Sequence, residues 1–384
     1  MHDDAISDHD KKLMCDFINS GARLSYGQKV KEFEAMWSKW LGVQHSVYVN
    51  SGSSANLLLV QAMHDLHGRG DWIAQSCTWA TNVAPIMQLR GIKNNGRMQR
   101  VYLTDINMRT LGLDESKAVE LIKINEDIKF VFVTHVLGIP SVSEEFISFC
   151  KDRAITILED CCEAHGSVTQ NRKVGTFGKA STFSFFYGHH ITTVEGGMIS
   201  TDDEELYEHL LLLRSHGLLR ELPEKSRNKR KVEDIDERFT FLCCGYNFRN
   251  TDLHAVLGIS QMSRLESTIS IRNRNFKRFI SRLDSNLFHT DIDVNGVSLF
   301  AFPIICKRDS ELKNKVSLLL NKLGIEHRPL IAGNLLRHPM MKSHVNTIPC
   351  PNADSIHFNS FYVGNNETVT TDQVDLLVDS LNSL

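Results

Sequence analysis

Short apolar runs alternate with amphipathic stretches over most of the first 260 residues, and this alternation restricts the fold more than any other feature. SVYVN (46–50) is followed by SGSSANLLLVQAMHDLH, a serine cap and then helical spacing. VYL (101–103), a helical pattern over 115–125 and KFVFVTHV (129–136) repeat the alternation. Residues 143–153 read as a helix, AITILED (154–160) as a strand, and STFSFF and GGMIST as two more. Such alternation predicts an α/β fold, a mostly parallel central sheet flanked by helices. Sheets of this kind bind ligands at the carboxyl ends of their strands.

After residue 250, TDLHAVLGISQMSRLESTISIRNRNFKRFISRL predicts a long linking helix starting at about 251. SLFAFPIIC (298–306) reads as a strand, 309–323 as a helix and TTDQVDLLVDSLNSL as a closing helix. The expected organisation is a large domain over 1–250 and a smaller C-terminal α+β domain over 251–384. With 42% hydrophobic and 23% charged residues the chain can bury a substantial core, which excludes a disordered or collagen-like chain. Forty-three basic residues against 46 acidic ones give no electrostatic reason to expect nucleic acid or an anionic membrane.

The segment MHDDAISDHDKK has no basic stretch leading into an apolar one, and no apolar run reaches the ~18 residues of a membrane span. A cytoplasmic protein is the expectation. Nine cysteines, an odd number with no CxxC, suggest neither a disulfide framework nor a zinc ribbon. The adjacent pairs Cys161-Cys162 and Cys243-Cys244 read as small buried residues at element ends. Residues 220–238 are almost wholly polar, either a solvated excursion or a basic loop approaching a charged substrate.

Three constellations carry chemistry. Ser51-Gly52-Ser53-Ser54-Ala55-Asn56 lies between a strand and a helix, where exposed N–H groups favour an anion such as phosphate, although serine caps are common. Glu159-Asp160 ends a strand, with Glu163 three residues on. A carboxylate there can pair with a protonated ring nitrogen or simply cap a helix. The run TFSFFYGHHITTVEGG places Gly188-His189-His190 after an aromatic strand. Adjacent histidines face different ways, which disfavours a metal pair, so no metal site is expected. One of them can be a general base, or both can be structural.

In order and spacing these motifs resemble the sugar aminotransferase family of fold type I pyridoxal-phosphate enzymes. The match runs from GARLSYGQKVKEFEAMWSKWLG through SGSSAN, LEDCCEAHGS, FSF, EGG, RSHG and GYNFR. One position departs from the aminotransferase pattern. Six residues before Glu195 of EGG, where the aminotransferases carry the lysine that bonds the cofactor, stands His189. Lys179 in GTFGKAS lies ten residues earlier. Two dehydratase groups within the family share this change, one with an iron–sulfur cluster on a pattern containing C-x-C. This chain has no C-x-C, so no cluster is expected. GHHITTVEGGM, RPLIAGNLLRHP and FYVGNN look closest to the cluster-free group, which acts on GDP-4-keto-6-deoxymannose.

The resemblance implies a hydro-lyase of deoxysugar and lipopolysaccharide O-antigen biosynthesis. It would remove the C3 hydroxyl of a nucleotide-linked 4-keto-6-deoxy sugar, using pyridoxal 5′-phosphate in its pyridoxamine form with L-glutamate as amino donor. His189 would be the base. Gly52, Ser53 and Ser54 with the Ser184 hydroxyl would hold the phosphate, Asp160 the pyridinium nitrogen, Trp79 one face of the ring, and Glu163 would lie beside it. Asn247 would reach the phosphate of a neighbouring subunit, implying a homodimer with shared active sites. His216, Arg328, Asn334 and Arg337 are candidate substrate contacts. A sugar aminotransferase and a catalytically silent relative are the alternatives.

Overall fold

The computed structural model describes residues 5–307, 310–342 and 348–384. Seven strands build the main sheet: β1 (His45–Val49), β2 (Asp71–Gln75), β3 (Val101–Thr104), β4 (Ile128–Thr134), β5 (Thr156–Asp160), and, after the small hairpin of β6 (Val168–Thr169) and β7 (Arg172–Lys173), β8 (Ala180–Ser184) and β9 (Gly197–Thr201). Their order is β1-β9-β8-β5-β4-β2-β3. β9 pairs antiparallel with both neighbours, and the remaining pairs are parallel.

Helices cover both faces, so the central strands read as continuous apolar runs rather than alternating ones. Trp72 of β2 stacks on Phe130 of β4 with ring centroids 4.4 Å apart, both fully buried. On the β1 side, the helix Gln28–Leu41 packs Val30, Phe33 and Trp37 onto Tyr48, Phe183 and Phe185.

The single linking helix expected from about 251 is two helices, Asp252–Met262 and Leu265–Arg282. At the break Arg264 turns its guanidinium onto Asp10, 2.6 Å away, tying down the N-terminal helix Asp8–Asn19. Ala255, Leu265 and Ile269 pack into the core of the large sheet. Phe276 and Phe279 belong to the core of the C-terminal unit, so this helix pair joins the two cores. The smaller sheet is antiparallel, with β10 (Ala301–Ile305), β11 (His327–Arg328) and β12 (Ser360–Gly364) in the order β10-β12-β11.

The polar segment 220–238 folds back on the helix Glu204–Arg214, where Ser226 and Arg230 both bond to the buried Glu208. Among the described residues no helix is long and apolar enough to cross a membrane.

Candidate active site

A cavity of about 300 Å³ opens where β5 and β8 end. The large sheet contributes Gly52, Ser53, Asp160, Glu163, Ser184 and His189 to its lining, and Trp79 stands at its rim, 55% exposed. Phe300, Arg328, Ile331 and Tyr362 from the C-terminal unit close the opposite side.

Its floor is the start of the helix Gly52–His67. Ser51 caps that helix, its hydroxyl accepting from the Ser54 N–H at 3.0 Å. The first N–H groups of a helix have no intrahelical partner and attract an anion. Glycine is required at two points. A Cβ on Gly52 would lie 2.7 Å from the Ser184 Cβ, and one on Gly197 would lie 2.2 Å from the Ser51 carbonyl oxygen. Gly197 of the EGG motif therefore lets β9 lie against the start of the helix Gly52–His67.

Asp160 and Glu159 end β5 and point to opposite faces, as neighbours on a strand must. Asp160 lines the cavity and is held by three donors: Asn56 Nδ2 at 2.9 Å and Asn82 Nδ2 at 2.7 Å on Oδ2, and the Cys162 N–H at 2.9 Å on Oδ1. Glu159 turns into the protein. There it accepts from the N–H groups of Gly175, Phe177 and Gly178 and lies 3.1 Å from His135 Nε2.

Three further groups have shifted protonation. Burial pushes Glu163 up to about 8, against the opposing effect of the Leu137 N–H bonded to its Oε2 at 2.8 Å, so the side chain enters neutral solution as an acid. Burial also raises the Cys162 thiol well above its usual range, with Asp160 adding to the effect. His189 is pushed down to about 3 by burial and by the Arg272 guanidinium, so its imidazole is neutral at pH 7. Its ring packs against Phe300 with centroids 5.2 Å apart.

These residues fit pyridoxal phosphate. A helix N-terminus with a close-packed glycine suits the phosphate, Asp160 within its amide cradle suits a protonated ring nitrogen, and the volume is that of a small-ligand pocket.

Residues 4–382 match the model of the DegT/DnrJ/EryC1/StrS aminotransferase family. The chain belongs to this family. It is 33% identical over 367 residues to GDP-4-keto-6-deoxy-D-mannose 3-dehydratase of Escherichia coli O55:H7, covering 92% of each chain. Among solved structures it is similar to a histidine-to-asparagine variant of GDP-4-keto-6-deoxymannose-3-dehydratase with bound GDP-perosamine, with TM-score 0.89, 32% identity, and coverage of 98% and 97% of the two chains. It is also similar to the same enzyme with a trapped PLP-glutamate geminal diamine, with TM-score 0.90, 32% identity and the same coverage.

Among the described residues, no lysine lines the cavity in this member of the aminotransferase family. Lys179 precedes β8 at the end remote from the cavity, five residues before Ser184, or roughly 17 Å along an extended strand. There its ammonium pairs with Asp203.

Of the residues singled out from sequence, Gly52, Ser53, Trp79, Asp160, Glu163, Ser184, His189 and Arg328 come together in the cavity. Ser54 stays on the helix cap, its hydroxyl accepting from Ser51 Oγ at 3.0 Å. Asn247 and His216 lie outside the lining, side by side through Arg249, which bonds Asn247 Oδ1 at 3.1 Å and approaches His216 Nε2 at 3.4 Å. Asn334 and Arg337 also lie outside it, both bonded to Asp354.

Of the four cysteines expected to be buried at element ends, Cys161 is buried, whereas Cys162 is half-buried and lines the cavity, Cys243 is half-buried and Cys244 is exposed, because the segment 243–244 lies outside the core. Sequence reasoning did not single out Asn82, Phe300 or Tyr362. Asn82 stands three residues after Trp79, Phe300 lies in the strand-like run SLFAFPIIC and Tyr362 in FYVGNN, but neither segment indicates that its aromatic ring faces the cavity.

Proposed function

We propose that the protein is a PLP-dependent 3-dehydratase, a hydro-lyase that removes the C3 hydroxyl of a GDP-linked 4-keto-6-deoxy sugar with L-glutamate as amino donor. The observation that carries this reading is His189, a neutral imidazole facing a cavity that has a phosphate cradle and Asp160 but no lysine. A histidine cannot anchor the cofactor covalently, but it can accept and return a proton.

When bound, the cofactor supplies an amine for the C4 ketone and a ring that takes up electron density. The protein's own groups do the rest. The start of the helix Gly52–His67, with Ser53 and Ser184, binds the phosphate. Asp160, oriented by Asn56 and Asn82, holds the ring nitrogen protonated. Trp79 stacks on the ring, and protonated Glu163 donates a hydrogen bond beside it. The accessible nitrogen of His189 takes the proton and, once charged, is the acid that assists departure of the C3 hydroxyl. Phe300, Ile331 and Tyr362 limit water access.

Arg328 is the substrate contact from the C-terminal unit, and Asn334 and Arg337 brace that wall through Asp354. Asn247 and His216 serve the phosphate and substrate of a partner subunit's cavity in a cytoplasmic homodimer.

The test is incubation with pyridoxal phosphate, glutamate and GDP-4-keto-6-deoxymannose, following 2-oxoglutarate, ammonia and sugar mass. Loss of the 3-hydroxyl with ammonia release is expected, and nitrogen retained at C4 would make the protein an aminotransferase. General base catalysis is worth about 10²–10⁴ in rate, so His189→Asn should lose that much turnover while still binding cofactor.

A further inference from the structure

Behind His189, away from the cavity, lies a buried layer of two more histidines and one arginine. The His165 ring centroid is 6.0 Å from that of His189 and 5.1 Å from that of His190. The ring nitrogens of this layer lack a well-formed hydrogen bond: both of His165, which has the Ser184 backbone beside it, and Nδ1 of His189 and of His190. Buried polar atoms are nearly always paired, so such a concentration in one place marks an arrangement with a purpose.

Proton positions can be assigned from one end. His190 Nε2 lies 3.0 Å from the Ser298 carbonyl oxygen, which can only accept. His190 is neutral, because burial and Arg272 hold it well below its ordinary range. Its proton is therefore on Nε2 and its lone pair on Nδ1. His165 has two acceptors for its single proton, His190 Nδ1 and the Ser184 carbonyl, and donating to either leaves its other nitrogen as an acceptor.

Imidazoles joined by an N–H···N bond of ~2.9 Å have centroids about 5 Å apart. The His165–His190 pair stands at that separation, and the His165–His189 pair, at 6.0 Å, suits a slight approach or one bridging water. Arg272 offers no acceptor and, with burial lowering it only to about 10, remains a cation that adds to burial in holding all three rings neutral. Its Nη2 bonds the His189 carbonyl oxygen at 3.4 Å.

We propose that His165 is a positioning residue: it accepts the Nδ1 proton of His189, directly or through one water, and so keeps the His189 lone pair on Nε2, toward the cavity. Which ring nitrogen of a histidine carries the proton is set by the partner of the other. This assignment rests on the reading of His189 as the base. The competing donor is Trp37, whose Nε1–H is also unpartnered and whose ring stands 5.4 Å from that of His165.

Two measurements test the proposal. In the full-length protein with ¹⁵N-labelled histidine, long-range ¹H–¹⁵N correlation spectra, assigned with His189→Asn, should show His189 as the Nδ1–H tautomer. His165→Phe should convert it to Nε2–H or to a mixture of the two. A wild-type Nε2–H tautomer, or a His189 spectrum unchanged by His165→Phe, would overturn the proposal. This readout needs no turnover, so it stands apart from the identity of the reaction. Kinetically, loss of an orienting partner costs about 10- to 100-fold. His165→Phe should lower kcat by that factor with KM for the sugar little changed. His165→Gln, which can still accept and donate, should recover most of the loss. Equal losses in both variants would mean that the ring is only structural.

Discussion

Asn82 Nδ2 donates to Asp160 Oδ2 across 2.7 Å, joining the segment after β2 to the end of β5, and Thr78 Oγ1 in turn donates to Asn82 Oδ1 at 2.9 Å. The carboxylate that faces the cavity is thus fixed by side chains from two other parts of the chain. Asn56, at 2.9 Å, comes from the same helix whose first turn forms the floor of the cavity. One network therefore sets both ends of a cofactor-sized site.

Asn82→Ala removes a hydrogen bond to a carboxylate, worth about 1.5–3 kcal/mol. Pyridoxal phosphate should bind about 10- to 100-fold more weakly, read by absorbance titration. Unchanged affinity would show that Asp160 does not depend on Asn82.

Lys179→Met should leave turnover within twofold of wild type. Its ion pair with Asp203 is partly exposed, and such pairs contribute only about 0–1 kcal/mol. A collapse of activity would mean that Lys179 reaches the cofactor after all.

Glu163 titrates near 8 in the folded protein because of burial, above its unfolded value of 4.5. The folded state thus holds a proton that the unfolded state releases between these values, and stability falls as pH rises through that window. Glu163→Gln keeps an acceptor for the Leu137 N–H without the charge. The cofactor-free variant should melt several degrees above wild type at pH 9, with the gap closing toward pH 5. A gap independent of pH would contradict the raised pKa.

Glu159 behaves in the opposite sense. Burial alone would raise its pKa, but His135 and the N–H groups of Gly178 and Gly175 outweigh burial and hold it below 4.5. Its contribution to stability is present above the unfolded pKa and is lost as pH falls through the depressed one. Breaking such a buried pair costs about 3–5 kcal/mol, so Glu159→Ala should melt far below wild type at pH 7. A melting point near that of wild type would show that the loop Gly175–Gly178 does not need this anchor.

Much of the protein is legible from local pattern alone. The alternation of apolar runs and amphipathic stretches specifies strands and helices because both periods are local, and a mostly parallel sheet follows because its strands need crossover helices. The motif SGSSAN, the pair Glu159-Asp160 and the substitution at His189 are likewise short-range signals, and Gly52, Ser53, Asp160 and His189 do meet in one cavity. What proximity in the chain cannot express is which distant groups meet. The wall formed by Phe300, Arg328 and Tyr362 exists only because the helix pair 252–282 brings the small sheet over the strand ends. The direction of the Asn334 and Arg337 side chains depends on Asp354, and the capture of Lys179 depends on Asp203. Protonation was hidden for the same reason. The neutral His189 and the acidic Glu163 follow from burial and from neighbours distant in sequence, which only tertiary packing creates.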